Sequence, residues 1–88
     1  MPKRRDLNHA TIRDGLRKLG FHVEDTADLG HGFPDLLANK KNREGTAVLL
    51  EVKMPGEKLT PAEIIFHQLY PGPIAIVYSL EDAILALK

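Results

Sequence analysis

Apolar residues recur along the first quarter of the chain at mostly helical intervals. Leu7, Ala10, Ile12, Leu16 and Leu19 fall close to the period of about 3.6 residues that marks an amphipathic helix. Asp6 or Asn8 is placed to cap its start and Gly20 to follow its end, because short polar side chains satisfy the free N–H groups of a first turn and glycine accepts the left-handed conformation past a last one. Phe21-His22-Val23 then reads as a first strand, followed by an acidic loop from Glu24 to Gly32 with two glycines around His31. Two apolar runs, residues 34–39 and 46–53, flank the polar segment Lys40-Lys41-Asn42-Arg43-Glu44-Gly45, the pattern of two strands joined as a hairpin. Thr60-Pro61-Ala62-Glu63 has the order of a capping box with proline at the first helical position, opening a helix through Tyr70. Pro71-Gly72-Pro73 stops that helix, Ile74 to Tyr78 reads as a short buried strand, and Ser79 caps a last helix carrying Ala83, Ile84 and Leu87. The expected order is αβββαβα, an α/β fold in one domain spanning residues 1–88.

The hairpin brings chemistry together. Glu51 and Lys53 are two apart and project from the same face of a strand. With the turn centred on Arg43, antiparallel pairing sets Asp35 opposite Glu51. Carboxylates directly opposed on one sheet face repel, so the arrangement is unfavourable unless a proton or a cation occupies the gap. A hard divalent ion is the natural occupant. Apart from this cluster both hairpin faces are apolar, with Leu36, Val48, Leu50 and Val52 on one side and Leu37 and Leu49 on the other. Such a sheet needs cover on both faces. Three helices cover two faces thinly, so remaining apolar surface is expected to be buried in a two-fold homodimer.

Composition narrows the function classes. The chain of 88 residues has no cysteine, which excludes disulfides and thiolate zinc sites, and its four histidines have no paired metal-ligand spacing. No apolar stretch reaches the length of a membrane span, and no apolar segment follows Lys3-Arg4-Arg5, so a soluble, unexported, cytoplasmic protein is expected. The net charge is zero, which argues against holding nucleic acid by bulk electrostatics alone. Its distribution is uneven: residues 1–22 carry six Lys/Arg against two Asp, residues 23–38 four acids and no base, and residues 39–58 five bases against three acids. Basic segments flanking an acidic centre suit a protein that grips phosphates and holds a metal; Lys3, Arg4 and Arg5 read either as a tail or as an arm gripping DNA.

Gly32-Phe33-Pro34-Asp35 with Glu51-Val52-Lys53, preceded by the first helix and followed by Lys58-Leu59-Thr60-Pro61, resembles the VRR-NUC family of the PD-(D/E)XK nuclease superfamily, in particular its minimal, stand-alone phage and bacterial members. The resemblance runs from Asp6 to Ala83 and implies the same αβββαβα order, a mixed sheet flanked by helices. It further implies that Asp35 and Glu51 ligate Mg²⁺ or Mn²⁺ with the Val52 carbonyl as a further ligand. It makes Lys53 the residue that orients or activates the attacking water and stabilises charge on the phosphate. Lysine suits that role as a point charge whose pKa falls when crowded against metal.

Many relatives carry an acid on the first helix, whereas this chain reads Asp6-Leu7-Asn8-His9; Asn8 or His9 would substitute through water. The family often has Gln where this chain has Glu63, which reads first as a helix cap and second as water-mediated support. His67 and Gln68 read as helix-surface or interface residues, and His31 as a loop residue. The implied activity is a Mg²⁺/Mn²⁺-dependent endodeoxyribonuclease on branched DNA, a four-way (Holliday) junction resolvase acting as a homodimer in a bacterial or phage-infected cell. The rival readings are a nuclease preferring flaps or single strands and a catalytically weak DNA-binding module. An RNA substrate finds little support, since no aromatic stacking platform is visible.

Overall fold

A computed structural model of the chain describes residues 4–40 and 45–88, with side chains from Leu7 onward. The elements are α1 (Arg4–Lys18), β1 (Val23–Asp25), a short 3-10 turn at Ala27–Leu29, β2 (Leu36–Asn39), β3 (Ala47–Val52), α2 (Pro61–Leu69), β4 (Ile74–Val77) and α3 (Leu80–Ala86). They form an α/β fold with one four-stranded mixed sheet in the order β1-β2-β3-β4. β1 and β3 both run antiparallel to β2, and β4 runs parallel to β3. The turn expected at Arg43, the basic tail at Lys3 and the side chains of Arg4, Arg5 and Asp6 lie outside what the structure describes.

Period two decides the sheet. β2 and β3 pair as Leu36 with Leu50, Leu37 with Leu49, Ala38 with Val48 and Asn39 with Ala47, so Leu36, Ala38, Val48, Leu50 and Val52 share one face. That face packs with Val23 and Val77 against Ile12 and Leu16 of α1 and against Ala83 and Leu87. Full burial of each aliphatic side chain stabilises by roughly 1.5–3 kcal/mol, which makes this layer the principal core. α2 crosses the opposite face, the one that carries Leu49 and Glu51.

The helices end as their sequences require. The Phe21 amide donates to the Leu16 carbonyl and the Gly20 amide to that of Arg17, with Gly20 at φ 95°, a left-handed closure with its two characteristic bonds. At α2, Thr60 accepts from the Glu63 amide while the Glu63 side chain accepts from the Thr60 amide, and Pro61 occupies the first position. Ser79 caps α3 by accepting from the Asp82 amide.

Three expectations need correction. α1 begins at Arg4, so Asn8 is an interior helix residue and not its cap. Of the apolar stripe, Ile12 and Leu16 reach the core, but Leu7 and Leu19 are exposed; Leu7 is five positions before Ile12, roughly 140° around the helix. The first strand is Val23–Asp25 and not residues 21–23, because the Phe21 amide closes α1 and leaves β1 to start later. Two acidic residues are tolerated in β1 since an edge strand faces water.

Candidate active site

Asp35 is held in place before β2 begins. Its amide donates to Leu50 O at 3.0 Å and its carbonyl accepts from the Thr26 amide at 2.9 Å. Thr26 also donates its hydroxyl to Pro34 O at 2.8 Å, closing the loop between β1 and β2 at its base. At the other side of that loop Gly30, His31 and Gly32 all take positive φ. A Cβ on Gly32 would fall on the backbone carbonyl of Ala62, so this glycine lets the loop touch the first turn of α2. The Phe33 and Phe66 rings meet edge to face, with centroids 5.1 Å apart. Loop and helix are thereby locked together, and the side chains they carry converge on the end of β3.

The β2–β3 pairing ends at Leu36 opposite Leu50, and the Asp35 amide also bonds Leu50 O, so Asp35 lies just outside the ladder and departs from the regular register; its side chain still reaches that of Glu51. The two carboxyl groups share a hydrogen bond, and a second Asp35 oxygen contact, from the Val52 amide to Oδ2, measures 2.8 Å. Asp35 is 3 % and Glu51 1 % exposed. Burial first, then the hydrogen bond and charge of Asp35, and then Glu63 push the Glu51 carboxyl well above the ordinary carboxylate range, with Lys53 opposing them. Ionising both carboxyls at this spacing is unfavourable, since like charges so close repel.

Lys53 is 2 % exposed. Its Nζ lies 2.7 Å from Glu63 Oε1, 3.7 Å from Glu57 Oε2 and 4.0 Å from Glu51 Oε2. Burial pulls the ammonium down, but the Glu63 hydrogen bond and the charges of Glu63, Glu51 and Glu57 outweigh it and hold Lys53 above the usual lysine range. In the absence of a bound ion, the acidic neighbours keep this ammonium charged. The same bond acts on Glu63 in the other sense: burial pushes that carboxyl up, and Lys53 and the Thr60 amide bring it below its ordinary value.

The other sequence candidates take separate partners. Asn8 donates its side-chain amide to Lys53 O at 2.9 Å and Tyr78 O at 3.3 Å, tethering α1 to the chain just past β3 and β4. His9 Nε2 is 2.9 Å from Asp25 Oδ2, an oxygen that also accepts from Arg13 at 2.9 Å. His9, Arg13, Asp25 and Asp35 line one cleft of about 540 Å³, so the His9 cluster adjoins the carboxylate pair without joining it. Burial of Asp25 opposes ionisation, yet the bonds from His9, the Ala27 amide and Arg13 prevail and hold its carboxyl at about 2.

Sequence reasoning missed His67. Its Nε2 lies 3.4 Å from Glu51 Oε1, and burial lowers its pKa, favouring the neutral imidazole. The available signal was its spacing: His67 follows Glu63 by four, one turn along the same helix face. Glu57 and Asp25 were also missed, since both reach the site region from irregular segments or an edge strand.

Among the described residues no group of three or more His, Asp or Glu side chains forms a ready metal cluster, and every buried side-chain nitrogen or oxygen has a hydrogen-bond partner. What the arrangement offers is a buried carboxylate pair, a main-chain amide at its edge, a fixed ammonium and a neutral imidazole. No protein-family model matches this chain, and neither a curated protein nor a solved structure matches it.

Proposed function

We propose that the protein is a Mg²⁺- or Mn²⁺-dependent endodeoxyribonuclease of the PD-(D/E)XK type, resembling the VRR-NUC family, and that it acts on branched DNA such as a four-way junction. The observation that carries this reading is the convergence of Asp35, Glu51 and Lys53 at one end of the β2–β3 ladder, with both carboxyls buried.

The donor set suits a hard cation. Asp35 and Glu51 would hold it, and magnesium is commonly bound by one or two carboxylates while keeping several waters, so a third acidic ligand is not required. The Val52 carbonyl leaves its strand on the same side as the amide that reaches Asp35 and is the natural further ligand. When bound, such an ion supplies a water acidic enough to attack near neutral pH and neutralises phosphate charge. To hold the ion, Glu51 would have to be ionised. Lys53 contributes a fixed positive charge near the phosphoryl oxygens, and its carboxylate neighbours suit it to charge stabilisation more than to taking a proton from water. His67 hydrogen-bonds or packs beside Glu51 and limits its movement.

The test is cleavage of a labelled four-way junction beside matched duplex and flap DNA, by wild type and Asp35→Asn, with Mg²⁺ or Mn²⁺. Junction-selective cutting lost by at least a hundredfold in Asp35→Asn is the expected result. Preference for the flap would replace the substrate assignment. A weak DNA-binding module is favoured by one specific feature, the complete burial of Lys53 in its pair with Glu63; junction retention without cutting in any metal would select that reading.

A further inference from the structure

Glu63 has two tasks in this fold, and only one of them belongs to a helix cap. Its Oε1 accepts the Thr60 amide at 2.9 Å, completing the capping box. The same oxygen accepts from Lys53 Nζ at 2.7 Å. A capping box needs neither burial nor a cationic partner, yet Glu63 is 7 % exposed and Lys53 is the largest of the fully buried side chains. A lysine side chain has a flexible four-carbon stem whose charge can settle in many places. Here a rigid helix N-terminus, itself pinned to the Asp35 loop through Gly32 and Phe33, determines where that charge sits.

We propose that Glu63 is the positioning residue for Lys53, holding its ammonium beside the Asp35–Glu51 pair at the place where a phosphoryl oxygen is bound. The assignment rests on the phosphodiester-hydrolase reading above. It adds a role that a cap does not have: Glu63 acts on turnover through Lys53, and the capping box gives the fixed oxygen that makes the hold rigid. Glu57, 3.7 Å from Nζ and partly exposed, is a secondary neighbour.

Four variants separate positioning from capping. Glu63→Ala removes both tasks, Thr60→Ala removes the hydroxyl half of the cap alone, and Glu63→Gln keeps an oxygen able to accept from both partners. Glu63→Asp keeps the charge but is one methylene too short to span Thr60 and Lys53, and it serves if Glu63→Ala does not fold. Two readouts apply to each: kcat and KM on the junction substrate, with Asp35→Asn alongside, and the Nζ–Hζ correlation of Lys53 in ¹⁵N-lysine-labelled protein, assigned with Lys53→Ala. An ammonium held in a buried pair exchanges slowly and gives a resolved signal.

Glu63→Ala is expected to lose the Lys53 signal and about a hundredfold in kcat, the scale of a misplaced catalytic group, with KM within about threefold. Glu63→Gln is expected to recover to within about tenfold of wild type, and Thr60→Ala to keep the signal and turnover within about twofold. Wild-type turnover in Glu63→Ala or Glu63→Asp overturns the inference while leaving the hydrolase reading intact. So does a Thr60→Ala variant that loses as much turnover and signal as Glu63→Ala, since Glu63 is then only a cap. A wild type that cuts no DNA with either ion removes the hydrolase reading, and the inference falls with it.

Discussion

At position 51 a carboxyl group is buried against a second carboxyl, with a third from Glu63 close enough to add to the repulsion. Its proton is therefore held more tightly in the folded chain than in the unfolded one. The linkage has a definite sign: a carboxyl with a raised folded pKa contributes stability that is complete below its ordinary value and is lost as pH rises. For Glu51 that window runs from the ordinary value of 4.5 up towards 9. Glu51→Gln carries a permanent donor in place of the shared proton. It should therefore be more stable than wild type by about 1 kcal/mol near pH 8, or roughly 4–8 °C in thermal midpoint, with the gap closing below pH 5. Thermal melts across that range without divalent ions check this, and a destabilised variant at pH 8 would contradict it. A residue that costs stability where it stands suits a functional role.

Glu51 and Lys53 could be read onto one strand face because period two is a property of spacing; hairpin register brought Asp35 near them, although the ladder itself ends one residue short of Asp35. The Glu63–Lys53 and His67–Glu51 contacts could not, since nothing local states which sheet face a later helix will cross.

Among the elements, the loop from Thr26 to Pro34 and helix α2 make the site together. Gly32 lies at their contact, at φ 81° with the Ala62 backbone where a Cβ would be. Gly56 has φ 85° with open space around it and supplies a control. Gly56→Ala should lose roughly 1–2 kcal/mol from the left-handed backbone alone. Gly32→Ala should lose about 2 kcal/mol more, because a backbone carbonyl cannot rotate away as a side chain can. Chemical denaturation of the two variants measures the difference, and equal losses would show that the close approach is unimportant. Caps and breakers at Thr60, Pro71 and Ser79 were readable because each acts on its own few residues. The first strand was misplaced by two residues because Phe21 is claimed by the end of α1, a competition that hydrophobic pattern alone does not settle.

For the molecule as a whole, the two sheet faces are covered unequally. α1 and α3 seal one. On the other, α2 turns Glu63 inward and leaves Ile64, Ile65 and Leu69 exposed, while Ile76 and Tyr78 are exposed on or beside the edge strand β4. Exposed apolar groups of this kind mark surfaces that associate, in keeping with the homodimer expected from the sequence. Sedimentation at micromolar concentration should give twice the mass of the 9.8 kDa chain, and Leu69→Glu, at a residue 76 % exposed, should shift it to monomer without unfolding. A single monomer mass for wild type would remove the dimer. No helix among the described residues is long and apolar enough to cross a membrane.

The β2–β3 ladder has its chemistry at one end, where Asp35 and Glu51 flank the Leu36–Leu50 pair, and its connection at the other, beyond Asn39 and Ala47. Evolution and the protein engineer therefore have the same freedom at that far end. Each doubling of the connecting segment's length costs only about 0.6 kcal/mol in closure entropy, and an added residue there leaves the pairing that aligns the two carboxyls unchanged. The end of the ladder beyond Asn39 and Ala47 is therefore the end at which to graft a fluorophore, an affinity tag or a second recognition module, so that the protein can be tracked or retargeted from the side away from its candidate site.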